Sequence, residues 1–337
     1  MVNSKISGRI ATLDVLRFFA AFAVVLYHFI ARPEATAFQS FEPVVRFGYL
    51  GVPIFFMISG YVISLSAENG SAYKFAVSRF VRLYPARWFS VLFTVAIVTL
   101  LSDRTFNVLQ VLANLTLLND YLGFENVDGV YWTLQAELKF YACVFVLVLT
   151  GLFNRYHIWL SIWLAATVIY MFTKQPFLMG WFISPSYSSF FIVGVCFFLV
   201  QKNGFDAYNL IVLTIASALC AYYAHNQAAD YISGGAESDS EIASLIVVAA
   251  IVLFVCIAKN LIVINGGKFF FTLGALTYPL YLLHNSAGKA VIDSPLLASV
   301  SQSYLIVGVG CGVTVLSYLV FHYIEQPTAR RLRQLLL

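Results

Sequence analysis

The sequence predicts an all-α integral membrane protein of about ten transmembrane helices with both termini in the cytoplasm, and three observations lead there. Of its 337 residues, 61% are hydrophobic and only 11% are charged, where soluble domains carry about 25% charged residues. Aromatic residues reach 17%, a content that suits lipid and its interfaces. Apolar runs recur along the whole chain, and a bilayer core needs about 20 such residues per helix. The net charge of +4 is too small to point to nucleic acid. Cys143, Cys196, Cys220, Cys256 and Cys311 all fall in apolar runs without C-x-x-C or zinc-ligand spacing, so neither disulfide nor metal site is expected.

The expected spans follow in order. The first, 12–31, comes after Lys5 and Arg9 and encloses Asp14 and Arg17. Ala35-Thr36-Ala37 has the look of a signal-peptidase site, but it lies well past a run that two charges interrupt, so the segment is expected to remain. A second run, 47–66, precedes a basic stretch from Lys74 to Arg87, and a third, 86–102, follows it. The fourth, 130–152, and fifth, 157–173, flank Arg155, while 185–201 and 208–224 flank Lys202. The eighth, 242–259, follows the flexible loop Ser233-Gly234-Gly235-Ala236-Glu237-Ser238, and 269–285 and 304–324 complete the set. The third and fifth runs are short. No repeat and no appended soluble domain is read, so residues 1–337 are expected to form one membrane domain.

Charge sets the orientation, because cytoplasmic loops carry the excess of Lys and Arg. With the N-terminus inside, the inner side holds Lys5, Arg9, Lys74, Arg79, Arg82, Arg87, Arg155, Lys202, Lys259, Lys268, Arg330, Arg331 and Arg333. The outer side holds only Arg32, Arg46, Arg104, Lys174 and Lys289. Acidic residues gather outside, with Asp103, Asp120, Glu125 and Asp128 in one loop and Asp230, Glu237, Asp239 and Glu241 in another.

Ionisable residues inside spans are costly and mark function by default. Arg17 and His28 are eleven residues apart, within about 20° of three full helical turns, so they share a face about 16 Å apart along the axis. Asp14 joins that face as the expected partner of Arg17. In the fourth span Glu137 lies about 10 Å inside the outer edge, close to the depth of His28, with Trp132 and Tyr141 nearby in sequence. Lys139 points about 200° away and is not its partner. His284 sits at the outer end of the ninth span, as a helix cap or a substrate ligand. On the inner side Arg79 and Arg82 stand one turn apart, with Arg87 just beyond. Planar guanidinium groups suit either bidentate phosphate binding or lipid head groups.

Six strings, in order, are similar to those of one family. LDVLRFFAAFAVVLYHF carries Arg17 and His28 with ten residues between, GVPIFFMISGY follows, and RFVRLYPARW carries an Arg-x-x-Arg pair. YWTLQAELKFY has Thr133 where Ser is usual, LGALTYPLYLLH has Thr277 for Ser, and YIEQPTARR closes the series. Over nearly its whole length the chain resembles the acyltransferase 3 family of bacterial membrane O-acyltransferases. Ending at Leu337, it matches the short form without the fused extracytoplasmic hydrolase-like domain. The resemblance implies transfer of an acyl group, commonly acetyl from acetyl-CoA, to a carbohydrate outside the cytoplasm, by a protein of the bacterial inner membrane with no metal.

Taken with that resemblance, the residues suggest a division of labour. Arg79 and Arg82, with Arg87, would hold the CoA phosphates, and the acyl arm would pass Arg17 toward His28. His28 would act as general base or as a transient acyl carrier, because an imidazole titrates near neutrality. Glu137 would orient the imidazole or bind sugar, while Asp14, Trp132, Tyr141 and His284 are substrate-binding or structural candidates. Export of a polysaccharide or a lipid-linked glycan, without acyl transfer, is the other reading, since transport also uses intramembrane charges.

Overall fold

The computed structural model describes residues 2–68, 70–173, 180, 183–264 and 266–337, with the backbone alone for 2–10. Lys174 and the side chains of Lys5 and Arg9, used above for orientation, lie outside the described residues. The described residues are helical with no strand. In chain order the longer helices are α1 (Val2–Ile30), α2 (Gly51–Ala67), α3 (Ala72–Leu101), α4 (Val108–Leu115), α5 (Trp132–Leu149), α6 (Tyr156–Thr173) and α7 (Pro185–Asn203). They continue as α8 (Ala207–Tyr231), α9 (Glu237–Ala258), α10 (Lys268–Leu283), α11 (Ser286–Ile292), α12 (Gln302–Val320) and α13 (Gln326–Leu336), the last two joined by a π turn at Phe321–Glu325.

Among the described residues, eight helices are long and apolar enough to cross a membrane. Each of the ten expected spans coincides with a helix, but two fall short of that standard. α10 has 16 residues, and α7 carries polar residues at both ends, Ser186 before its apolar stretch and Gln201-Lys202-Asn203 after it. The expectation of a short third span is corrected. α3 runs for 30 residues with Pro85 inside it, because Arg79, Arg82 and Arg87 interrupt the hydropathy of the sequence without interrupting the helix.

The chain forms two compact units whose segments alternate along the sequence. One comprises Met1–Ala20, Leu50–Ala76 and Ala136–Phe271. Its centre is α7, where Ser188 to Val200 are all buried. α2 lies against it with the backbones in contact: a Cβ on Gly60 would stand 2.2 Å from the carbonyl oxygen of Phe191, and one on Gly194 2.0 Å from that of Met57. Small residues permit this approach between membrane helices, where packing and not the hydrophobic effect drives association. Phe191 packs at a tilt against Phe56 and Phe140, each with centroids 4.6 Å away, and Phe197 stacks on Phe254 of α9 at 5.2 Å. Ser244 Oγ of α9 donates to the Ala221 carbonyl of α8 at 3.0 Å.

The other unit comprises Ala21–Tyr49, Val77–Gln135 and Thr272–Leu337. Gly48 approaches α1 closely enough that a Cβ would stand 2.2 Å from the Ala23 carbonyl oxygen, and Gly288 of α11 accommodates the ring of Phe29 in the same way, at 2.8 Å. The long connection between α3 and α5 is held by Asn114, which donates to the carbonyls of Gln110 and Glu125, both at 2.9 Å, and accepts from Val127 N at 3.1 Å.

Candidate active site

His28 and His284, 256 positions apart in sequence, are brought together in the second unit: Nδ1 of His28 lies 3.0 Å from Nε2 of His284. His28 is half-buried near the end of α1, and His284 is fully buried just past the end of α10. The protons on this pair can be assigned by elimination. Nδ1 of His284 lies 2.8 Å from the carbonyl oxygen of Tyr281 and 3.2 Å from that of Leu280. A carbonyl only accepts, so that nitrogen carries the hydrogen. In the neutral pair Nε2 of His284 is then bare and accepts from Nδ1–H of His28. The unshared electron pair on His28 therefore sits at Nε2. When Nε2 takes a proton, the resulting imidazolium keeps its donor bond to His284, which spreads the new charge. The arrangement fits a general base held in one tautomer by a second imidazole.

The segment around His284 is fastened to the start of α5 by a ladder of hydrogen bonds. The Tyr131 hydroxyl donates to the Leu282 carbonyl at 3.3 Å. Thr133 Oγ1 lies 2.9 Å from both the Tyr281 hydroxyl and the Val130 carbonyl. Asp128 accepts from Asn285 Nδ2 at 2.7 Å and from Ser286 N at 2.8 Å. Just outside this cluster Arg32 forms an ion pair with Asp293, one of its two contacts measuring 2.7 Å. Two motifs far apart in sequence, YWTLQAELKFY and LGALTYPLYLLH, thus serve one purpose here: their neighbouring ends hold His284.

In the first unit Glu137 has its own partners. Ser59 Oγ and the Tyr141 hydroxyl both donate to its Oε1, the latter at 2.6 Å. Lys139 donates instead to the Gly180 carbonyl at 3.0 Å. Arg17 Nη1 lies 3.6 Å from Asp14 Oδ1, one turn back on α1. Tyr141 is buried, and Trp132, in the second unit, is half-buried.

The arginines of α3 part company. Arg79 and Arg82 are half-buried. Arg79 Nη2 donates to Ser78 Oγ at 2.8 Å, and Arg82 pairs with the buried Glu325 while its guanidinium lies 5.2 Å from the centre of the Tyr278 ring. Arg87 is placed apart from these two. It is 0% exposed, its Nε and Nη2 donate to the Asn114 carbonyl at 3.2 and 3.0 Å, and its guanidinium lies 3.7 Å above the Tyr131 ring. Five residues beyond Arg82, it is turned about 140° around the helix. It pins the connection between α3 and α5 to α3.

Sequence reading missed Ser59, Asp128 and Glu325. Ser59 and Glu325 lay inside quoted motifs but next to more conspicuous residues, and Asp128 counted only as one of several acids in a loop. Among the described residues no group of three or more His, Cys, Asp or Glu side chains could hold a metal ion.

No curated protein and no solved structure matches the chain. The sequence model of a family described as an acyltransferase domain matches residues 10–322 of the 337. That stretch includes both members of the imidazole pair, Glu137, and Arg79 and Arg82. The chain is a multi-pass membrane protein by its helices and, by this match, belongs to the acyltransferase 3 family of membrane acyltransferases.

Proposed function

We propose that the protein is an O-acetyltransferase that carries acetyl from cytoplasmic acetyl-CoA to a hydroxyl of a carbohydrate outside the cytoplasm, such as O-antigen, capsule or exopolysaccharide. The observation that supports it most is the contact between His28 Nδ1 and His284 Nε2, with His284 itself anchored on the Tyr281 carbonyl. This arrangement gives His28 Nε2 a defined basic electron pair. Nε2 takes the proton of the acceptor hydroxyl as the oxygen bonds to the thioester carbonyl carbon. The carbon–sulfur bond then breaks, and the departing thiolate receives the proton from His28. His284 orients the base, the task first considered for Glu137.

Glu137, with an oxygen already bound by Ser59 and Tyr141, is suited to hold acceptor hydroxyls through its other oxygen, with Trp132 offering a ring face to sugar. Arg79 and Arg82 hold the phosphates of CoA, with Arg17, steadied by Asp14 on the helix that carries His28, as a further contact for the donor. The ten helices span the bacterial inner membrane with both termini inside, so that donor and acceptor approach from opposite sides. The bias of Lys and Arg toward one side supports this orientation.

The test is His28→Ala, with the acetyl ester content of surface glycan read by proton NMR. Loss of the acetyl signal at normal protein level is expected. Unchanged acetylation refutes the assignment of the base, and unchanged glycan acetylation together with lost glycan export favours the transport reading.

A further inference from the structure

We infer that Asp128 is a positioning residue of the imidazole pair, holding His284 in place and supplying the negative charge that offsets the proton taken up by His28. The inference rests on the acyl-transfer reading for its kinetic consequences, but its geometry is independent of that reading. Asp128 is 0% exposed, and burying a carboxylate is costly unless it is fully hydrogen-bonded. Its oxygens accept three bonds. One, from Val130 N at 3.1 Å, fixes its own turn at the head of α5. The other two come from Asn285 and Ser286, the residues directly after His284. The chain directly after His284 is therefore clamped by this carboxylate, while the imidazole itself is held by the carbonyls of Leu280 and Tyr281.

A buried negative charge near His284 also acts through space, since Asp128 lies within electrostatic range of that imidazole. Proton transfer from the acceptor leaves a positive charge on the pair, and a fixed carboxylate stabilises it without reorganisation. The other ionisable groups in this region are Lys289 of α11, Asp293 just past it, Arg32 and Glu34 beyond α1, and Arg87 of α3. Lys289 acts on both imidazoles as a positive charge, and the Asp128 carboxylate opposes it.

The test compares Asp128→Asn with Asn285→Ala in the purified full chain. Asp128→Asn keeps the shape and removes the charge. Acetyl-CoA turnover is expected to fall about tenfold or more through misplacement of the base, with KM for acetyl-CoA unchanged. The acidic limb of its pH–rate profile is expected to move to lower pH by about half a unit or more. The sign follows because, without the carboxylate, the pair is harder to protonate and stays basic further into acid. Asn285→Ala keeps the charge and loosens the clamp, so it lowers turnover without moving the profile. Asp128→Asn activity within about twofold of wild type, or a loss with an unmoved profile, overturns the inference.

Carbethoxylation of His28 by diethyl pyrocarbonate, located by mass spectrometry, gives a readout that needs no acyl transfer. Relative to its value at about pH 8, modification at about pH 5–6 is expected to be higher in Asp128→Asn than in wild type. Equal ratios overturn the inference, even if the protein transfers no acyl group. Should Asp128→Asn not fold, an Asn285→Ala protein with wild-type turnover overturns it as well.

Discussion

Replacing His284 with Phe is the perturbation that bears most directly on the paired imidazoles. Phe fills the site but offers no acceptor, so Nδ1–H of His28 loses the bond it makes over 3.0 Å to Nε2. Stranding a donor in a buried setting costs about 1–3 kcal/mol. If that cost falls on the transition state, where the imidazolium needs the bond most, turnover drops about 5- to 150-fold at about 1.4 kcal/mol per factor of ten. His28→Ala removes the base itself and is expected to cost about 10²–10⁴-fold. Because His284 acts only through His28, the two losses do not multiply, and the double variant should match His28→Ala alone. Release of CoA thiol from acetyl-CoA by the purified protein in detergent measures all four corners of this cycle. Wild-type turnover in His284→Phe, or a double variant slower than His28→Ala by the full His284 factor, refutes the relay.

Other predictions concern packing and ionisation. Gly60→Ala sets a methyl group where a Cβ would stand 2.2 Å from the Phe191 carbonyl oxygen, so thermal unfolding in detergent should show a loss of about 1–3 kcal/mol or more. Gly308→Ala, which meets open space, should leave the melting temperature unchanged or raise it, by up to about 1 kcal/mol of helix propensity. Arg87→Lys cannot reproduce the paired donation to Asn114. It should lower stability and yield while leaving KM for acetyl-CoA unchanged in the folded fraction, and a raised KM would return Arg87 to the donor site. Burial, and then the neighbouring Arg32, hold the Lys289 amine below the usual lysine range. A larger share of it is therefore neutral at a given pH, and amine-reactive labelling should rise at lower pH than for an ordinary lysine near about pH 10.4. Arg32→Gln should bring that labelling back toward higher pH.

The sequence carried the helical, membrane-bound character of the chain openly, because lipid permits few polar residues and their scarcity needs no tertiary information to be seen. It carried the edges of helices less well where charge and helix coincide. The arginines of α3 look like an end to a span when read by hydropathy, although Arg87 donates through Nε and Nη2 to the Asn114 carbonyl and lies over the Tyr131 ring, and the helix runs for 30 residues. His28 could be singled out because it shares a helical face with Arg17, a relation fixed by local geometry alone. Its partner could not, because 256 residues separate it from His284 and no local period links them. For the same reason the Glu137 partner from α2, Ser59, was not legible in the sequence. Arg79 and Arg82 read alike in sequence, yet only the fold pairs Arg82 with Glu325 through the π turn.

The most direct measurement places the purified protein in proteoliposomes, with acetyl-CoA radiolabelled in its acetyl group on the side of Arg79 and Arg82, and surface glycan on the other. The account predicts labelled acetyl ester on the glycan with wild-type protein and background label with His28→Ala. Equal labelling with both proteins, or no labelling while the wild type moves glycan across the bilayer, would contradict it.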